Sequence, residues 1–182
     1  RRNLSLYTSF GINIYDTFKG FKNPSVSPVP HVRSDIQDYL AEGKNNIQRM
    51  QLEYFGNPFK DVFTRIDLGY LEEMFGGVGG EVLYRPFDKK YAIGMTAHKV
   101  KQRAYNQLFK FRDYSTTTGH LGIYYDFTNQ LRSSLLIGKY LAGDKGATLD
   151  VSRRFHSGFT LGIFATKTNL SAAEFGEGSF DK

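Results

Sequence analysis

Hydrophobic and polar residues alternate along much of this chain, which is the pattern of β-strands. In the first such segment every second residue belongs to a largely apolar face: Leu4, Leu6, Thr8, Phe10, Ile12 and Ile14. Period two over about a dozen residues indicates one extended strand with one apolar face. Strands of soluble proteins average about five or six residues, whereas a tilted membrane strand needs about nine to eleven. The length of this segment therefore favours a membrane strand.

The same alternation predicts nine strands along the chain. They lie at 3–14, 47–55, 61–70, 80–86, 91–98, 116–127, 131–140, 147–155 and 159–167. Turn residues mark short connections at 56–60, 87–90, 128–130 and 156–158, and longer connections lie at 15–46, 71–79, 99–115, 141–146 and from 168 onward. Alternating short and long connections are typical of an antiparallel up-and-down transmembrane β-barrel. We therefore expect an all-β chain whose residues 1–182 form part of one outer-membrane barrel domain.

The predicted strand number is odd, whereas bacterial single-chain barrels usually have even numbers of strands. A closed barrel of about nine strands is therefore not expected. The chain also begins at Arg1, without an initiator methionine or an apolar signal segment. We expect it to be a piece of a larger barrel, with further strands beyond both ends.

One short helix is predicted near 35–42, inside the long loop 15–46. Ser34 stands three residues before Gln37, as in a capping box, and Gly43 can end the helix. The prolines earlier in this loop predict an extended, turn-rich start.

Composition removes several classes of protein. No stretch approaches the roughly 18 consecutive apolar residues that a spanning helix needs, and the mean hydropathy is -0.42, so a helical membrane protein is excluded. Cysteine is absent, which removes disulfides, thiolate zinc sites and cysteine nucleophiles together. The net charge of +6 would suit an anionic partner, but the excess is modest and spread out. We expect no nucleic-acid partner.

The sequence shows no motif for catalysis, for a cofactor or for a metal. The run Gly76–Gly80 matches neither a dinucleotide-binding nor a phosphate-loop spacing, and the strand-like residues after it are not a helix start. We interpret this run as a tight bend where backbones pack closely. The four histidines lack metal-ligand spacing, and no Gly-x-Ser-x-Gly elbow is present. We therefore expect no catalytic residue, no cofactor and no metal.

Charged residues alternate with apolar ones in two of the predicted strands. The candidates for charges that face a barrel lumen are Arg49, Glu53, Arg65 and Asp67. Opposite charges on facing strands are most simply read as a ladder that fills a polar barrel interior.

Basic and aromatic residues interleave in the predicted loop 99–115. The candidate contacts to a glycan or to a partner protein are Arg103, Tyr105, Arg112 and Tyr114. RNA-binding surfaces use this mixture, and so do sugar-binding loops, where aromatic faces meet pyranose rings. In a long barrel loop the second is the more natural interpretation. The alternative is a loop whose aromatic residues only pack and whose charges are only solvated.

Four motifs carry a resemblance to a known family. They are Leu71–Phe87 with its glycine run, Phe111–Tyr114, Lys139–Asp144 and Glu174–Lys182. With them the chain, from about Val32 onward, resembles the YjbH-type exopolysaccharide biosynthesis family, which includes the barrel lipoproteins of group 4 capsule operons.

The resemblance implies a large, often lipid-anchored β-barrel in the bacterial outer membrane, surrounded by outer-membrane lipid. It implies a role in the biosynthesis and export of an exopolysaccharide or capsule polymer, together with polysaccharide export proteins from the same operon. It carries over no catalytic residues, so we expect a non-enzymatic protein. Two alternatives stay open: an outer-membrane barrel enzyme that modifies a surface glycan through Glu72, Glu73 or Asp113, and a soluble β-sandwich.

Overall fold

The structure is a computed structural model that describes residues 3–15, 29–171 and 174. Its elements are β1 (Leu4–Ile12), α1 (Ile36–Glu42), β2 (Asn45–Phe59), β3 (Val62–Tyr70), β4 (Phe75–Tyr84), β5 (Tyr91–Arg103), β6 (Phe111–Asp126), β7 (Leu131–Lys139), β8 (Lys145–Arg154) and β9 (Thr160–Thr168). Each strand pairs antiparallel with the next, in one nine-stranded sheet. In the described part of the chain β1 and β9 are the two edges, so this sheet is open. The all-β, up-and-down prediction is confirmed.

The strict alternation gives the sheet two unlike faces. One apolar row runs through register partners on seven successive strands: Val62, Tyr84, Ile93, Ile123, Leu135, Leu149 and Ala165. This apolar face is exposed, at 67% for Leu6 and 59% for Met95. The opposite, polar face is more protected, with Gln51 and Asp67 each 2% exposed. A soluble sheet protein does the reverse and buries its apolar face.

The predicted rule of alternating short and long connections is wrong beyond β2. The expected long connections shrink to 71–74 and 104–110, and no connection after β2 exceeds seven residues. β5 and β6 extend further than the alternation indicated. Lys99 and Lys101 fall on the exposed face near the strand end, so the apolar period is lost there although the backbone pairing continues.

The hairpin turn between β2 and β3 also lies later than predicted. β2 continues to Phe59, and the turn is at residues 60–61, where Asp61 adopts a φ of 61°. The register shifts between Gly56 and Phe59, and the Asn57 side chain donates a hydrogen bond of 2.8 Å to the Val62 carbonyl. The turn residues predicted at 56–60 therefore form a register shift between the two paired strands.

The glycine run Gly76–Gly80 is regular strand and not a bend. β4 begins at Phe75, and its residues pair one by one with β3 and β5. The expected close approach of backbones is present, since a Cβ atom on Gly77 would lie 2.8 Å from the Val100 Cα. The prediction was right about why glycine is needed and wrong about the local conformation.

The predicted helix is confirmed, but its predicted cap is wrong. α1 ends where expected, with the Gly43 N–H donating to the Tyr39 carbonyl at 2.9 Å. The N-cap residue is Asp35 and not Ser34, and the Asp35 side chain makes no hydrogen bond to the helix. No helix in the described residues is long and apolar enough to cross a membrane. The proline-rich start of the loop, and the motif Glu174–Lys182 apart from its first residue, lie outside the described residues.

The hydrophobic core lies at one end of the sheet, where α1 and several loops cover the polar face. We define the cap as residues 29–44, which include α1, together with the connections 71–74 and 104–110. The buried cluster beneath the cap comprises Tyr39, Met74, Phe75 and Val100, flanked by the partly buried Val32, Leu71, Tyr105, Tyr114 and Leu141. The protected face of the sheet therefore carries its charge network in the middle and its buried hydrophobic cluster under the cap.

Candidate functional site on the polar face

A network of charges crosses the polar face of β2, β3 and β4. The four predicted residues Arg49, Glu53, Arg65 and Asp67 all lie on this face. The Arg65 guanidinium is the centre of the network, at 3.7 Å from a carboxylate oxygen of Glu53, 3.6 Å from Asp67 and 3.4 Å from Glu81. Arg49 enters through Gln51, to which its Nε donates at 2.8 Å, and Gln51 donates to Glu53 at 2.6 Å. The four side chains therefore share one face of the sheet, and their position in a barrel lumen stays a prediction.

A histidine reaches across one strand to extend this network. The Nε2 atom of His98 on β5 lies 3.1 and 3.2 Å from the two carboxylate oxygens of Asp67 on β3. The intervening β4 carries Gly79 as register partner of both residues. A Cβ atom at this position would overlap the imidazole ring. Glycine is therefore needed here because the ring passes over the strand and because a Cβ atom would also lie 2.6 Å from the Ala97 carbonyl oxygen.

Arg103 is fully buried, so it is not available to a glycan, and that prediction is corrected. Its guanidinium donates to the carbonyls of Ile47 at 2.8 Å, Glu72 at 3.0 Å and Glu73 at 3.2 Å. It also lies over the Tyr70 ring, 4.2 Å from the ring centre. Its partners in the described residues are carbonyls and an aromatic face, so Arg103 ties the start of β2 to the cap.

Tyr105 and Arg112 converge on Asp35, just before α1. The Tyr105 hydroxyl donates to the Asp35 carboxylate at 2.9 Å, and Arg112 donates to the same oxygen at 3.0 Å. The Arg112 guanidinium also stacks 4.0 Å from the centre of the Tyr105 ring. Burial raises the pKa of Tyr105 to about 12, so its phenol keeps the proton that it donates. These two candidates hold α1 in place, and their contact with a glycan stays a prediction.

One further tyrosine fixes the cap to the sheet, and another fixes the 140–144 connection. The Tyr39 hydroxyl donates to the Arg103 carbonyl at 2.6 Å, and burial raises the pKa of Tyr39 to about 12. Tyr114, the fourth predicted contact, donates to the Leu141 carbonyl at 2.6 Å and packs edge-on against Phe75. Its phenol is thus engaged in the fold.

A cavity of about 540 Å³ opens under the cap on the polar face. Its walls come from the polar-face residues of β4, β5, β6 and β9 and from the cap and the 140–144 connection. Most of its lining is apolar, and the polar groups include His98, His120 and Asp144. Ligand sites of proteins have this character, with volumes of roughly 300–1,000 Å³ and a few polar groups in an apolar pocket.

The described residues offer little support for metal or carboxylate chemistry. They contain no group of three or more histidine, aspartate or glutamate side chains that could hold a metal ion. The Glu72 carboxylate is held by Arg33 through two hydrogen bonds of 2.8 Å each. Asp113 is exposed at the start of β6.

Comparison with known proteins agrees with the resemblance seen in the motifs. The YjbH family model, described as exopolysaccharide biosynthesis protein YbjH, matches residues 1–182. The chain belongs to the YjbH exopolysaccharide biosynthesis family. The uncharacterized lipoprotein YjbH of Escherichia coli (strain K12) is 42% identical over 185 residues, which cover 98% of this chain and 26% of that protein. The chain thus spans about a quarter of the length of this relative. No solved structure matches it.

Sequence reasoning missed the parts of this site that depend on register. The ion pair of His98 with Asp67 becomes visible only when three strands are aligned, with Gly79 between them. Asp35 and Asp144 were not singled out, because each stands beside a loop and most of the partners of Asp35, Tyr105 and Arg112, lie far from it in sequence. The signal for Asp144 was its place in the motif Lys139–Asp144 of the family resemblance.

Proposed function

We propose that this chain is a segment of a non-enzymatic β-barrel that spans the bacterial outer membrane and serves the export of an exopolysaccharide or capsule polymer. The observation that carries the proposal is the exposed apolar face, which continues in register over nine strands. Membership of the exopolysaccharide biosynthesis family supports the biological process.

Lipid is the natural partner of the apolar face. Exposing apolar surface to water costs roughly 25 cal/mol per Å², and a soluble sheet avoids this cost by placing a second layer over its apolar face. In the described residues, contacts between elements join only neighbouring strands, so no second layer covers this face. This favours a membrane barrel over the soluble β-sandwich.

The strand edges support a larger barrel. In lipid every backbone N–H and C=O group needs a partner, which only helices and closed barrels supply. We propose that β1 and β9 pair with further strands of a longer protein, of which this chain corresponds to about a quarter in the E. coli relative. The lipoprotein name of that relative supports a location at the cell envelope.

The polar face would then line the barrel interior and contact the polymer. Around Arg65 one guanidinium is shared by three carboxylates, which gives a polar surface that can accept hydrogen bonds from sugar hydroxyls. Such a lining would favour passage of the polymer over tight binding of the polymer. Export proteins encoded beside this protein would deliver or receive the polymer.

A pair of adjacent substitutions tests the membrane part of the proposal. In the full-length protein, Met95→Arg places a charge on the apolar face and Thr96→Arg places the same charge on the polar face, near its register partner Glu81. An arginine on the lipid face costs about 2–4 kcal/mol at the membrane midplane. We expect Met95→Arg to lower the folded protein in the outer-membrane fraction and the surface polysaccharide, while Thr96→Arg retains both.

The same cells separate export from catalysis. We expect the double variant Glu72→Gln and Asp113→Asn to secrete polymer of normal amount and length. Shortening of the polymer by purified full-length protein, abolished in this double variant, would establish the enzyme alternative instead. Normal assembly and secretion by Met95→Arg would contradict the barrel.

A further inference from the structure

We infer that the cavity under the cap binds one neutral sugar unit of the polymer, with Asp144 and His120 as its hydrogen-bonding groups. This inference rests on the proposed function, since it assumes that the polar face meets the polymer. It assigns that contact to a defined pocket in place of the loop residues Arg103 and Tyr105.

The shape and lining of the cavity fit a sugar ring. Its volume of about 540 Å³ lies within the range of small-molecule sites. Leu71, Val100 and Leu141 provide apolar surface against which the C–H groups of a pyranose can pack, and Thr118 and Thr168 add hydroxyls. A sugar has the same combination of apolar ring faces and polar edges.

Asp144 is the first polar group that calls for a ligand. It is 5% exposed and lines the cavity, and no described residue donates a hydrogen bond to its carboxylate, whose charge acts on the neighbouring His120 and Tyr114. The backbone of its loop is fixed, because the Tyr140 N–H donates to the Asp144 carbonyl at 2.8 Å and Gly143 takes a φ of 88°. A buried carboxylate needs donors, and sugar hydroxyls are donors.

His120 is the second such group. Its Nε2 atom is buried and has no hydrogen-bond partner among the described residues. The ring is positioned by an edge-on contact with Tyr140, whose hydroxyl is held 2.6 Å from that of Thr148. On the same row the next two strands carry Gly138 and Gly146, so they place no side chain between His120 and Thr168.

The remaining charges of the cavity are already paired, which points to a neutral ligand. His98 is engaged by Asp67, and Arg33 by Glu72 at the rim. An anionic sugar would meet the carboxylate of Asp144 without a free cation in the lining. A neutral aldohexose unit can donate to Asp144 and form a hydrogen bond with His120, and it adds no further charge to the cavity.

The test uses full-length protein in lipid nanodiscs and fluorescent oligosaccharides cut by mild acid from the exopolysaccharide of the same strain. Asp144→Ala and His120→Phe should each weaken binding about tenfold or more, because each removes a hydrogen-bonding partner of the sugar. His120→Phe keeps the contact with Tyr140. Asp113→Ala makes the same change as Asp144→Ala at an exposed position and should leave the dissociation constant within about twofold.

A second variant keeps the test independent of the polar groups. Ala142→Trp fills the cavity from the 140–144 connection while retaining Asp144 and His120, and it should also abolish binding. Fold integrity is checked in each variant by the heat-dependent shift in gel mobility.

The outcomes separate the inference from the proposed function. Equal affinity of the wild type, Asp144→Ala and Ala142→Trp would overturn the cavity assignment, as would preference for cationic chitosan oligosaccharides. The cavity assignment would also be overturned if the assembled protein bound no oligosaccharide although secretion requires the protein. That result would leave the proposed export function intact. Secretion that does not need the protein would instead overturn the export function.

Discussion

At the scale of residues, Gly79 shows how one missing side chain organises the polar face. The His98 ring crosses β4 at this position to reach Asp67, which is 2% exposed. Because a buried carboxylate is costly without a partner, the space over Gly79 is part of the charge network. The glycine run that distinguishes this family resemblance therefore has at least one structural reason.

We predict that Gly79→Ala displaces the His98 ring and removes its contact with Asp67. Loss of a partner from a buried polar group costs about 1–3 kcal/mol, which would appear as a lower urea midpoint of the full-length protein in lipid vesicles. Gly94→Ala is the matched control, because its added Cβ would meet the Leu83 side chain at 3.3 Å and the Tyr124 ring at 3.4 Å, and the Val82 carbonyl oxygen only at an ordinary contact distance of 3.6 Å. The same cost for Gly79→Ala in a His98→Ala background would contradict this explanation.

At the scale of elements, sequence alternation located all nine strands and the helix. It succeeded where apolar residues occupy every second position, as in β1 and β3, because the period directly reports the two faces. It failed at the start of β4, at the end of β5 and at the start of β6, where glycine, lysine and small polar residues respectively replace apolar residues on the exposed face. The contacts that join the cap to the sheet link residues far apart in the chain, so no local pattern could reveal them.

Arg103 is the residue on which the cap depends most. We predict that Arg103→Lys destabilises the cap by about 3–5 kcal/mol, because a lysine cannot reach the same carbonyls and leaves a buried charge poorly solvated. Limited proteolysis of the full-length protein should then cut within residues 104–110. Arg112→Lys is the control for a milder change in the cap, since a lysine at this 37% exposed position keeps the positive charge beside Asp35 and loses mainly the stacking on Tyr105. Equal protease sensitivity of the two variants would show that Arg103 does not hold the cap.

At the scale of the whole molecule, the sheet exposes its apolar face and protects its polar face, which is the reverse of the arrangement in a soluble sheet protein. Apolar rows face outward, charges form a protected network, and the hydrophobic core is confined to the space under the cap. Period two alone could indicate two faces but not which of them is protected. The regular loop alternation that first suggested a membrane barrel is absent, and the exposure of the apolar face now carries that proposal.

The most direct test measures which face of β5 meets lipid. The chain has no cysteine of its own, so single cysteines can be placed at positions 92–97 of full-length protein in which any cysteine outside this chain is replaced, and labelled with a bimane fluorophore. The protein is then folded into vesicles that contain brominated lipid, which quenches only fluorophores close to the acyl chains. We predict strong quenching at 93, 95 and 97 and weak quenching at 92, 94 and 96. Equal quenching at all six positions, or none at any of them, would contradict the membrane barrel.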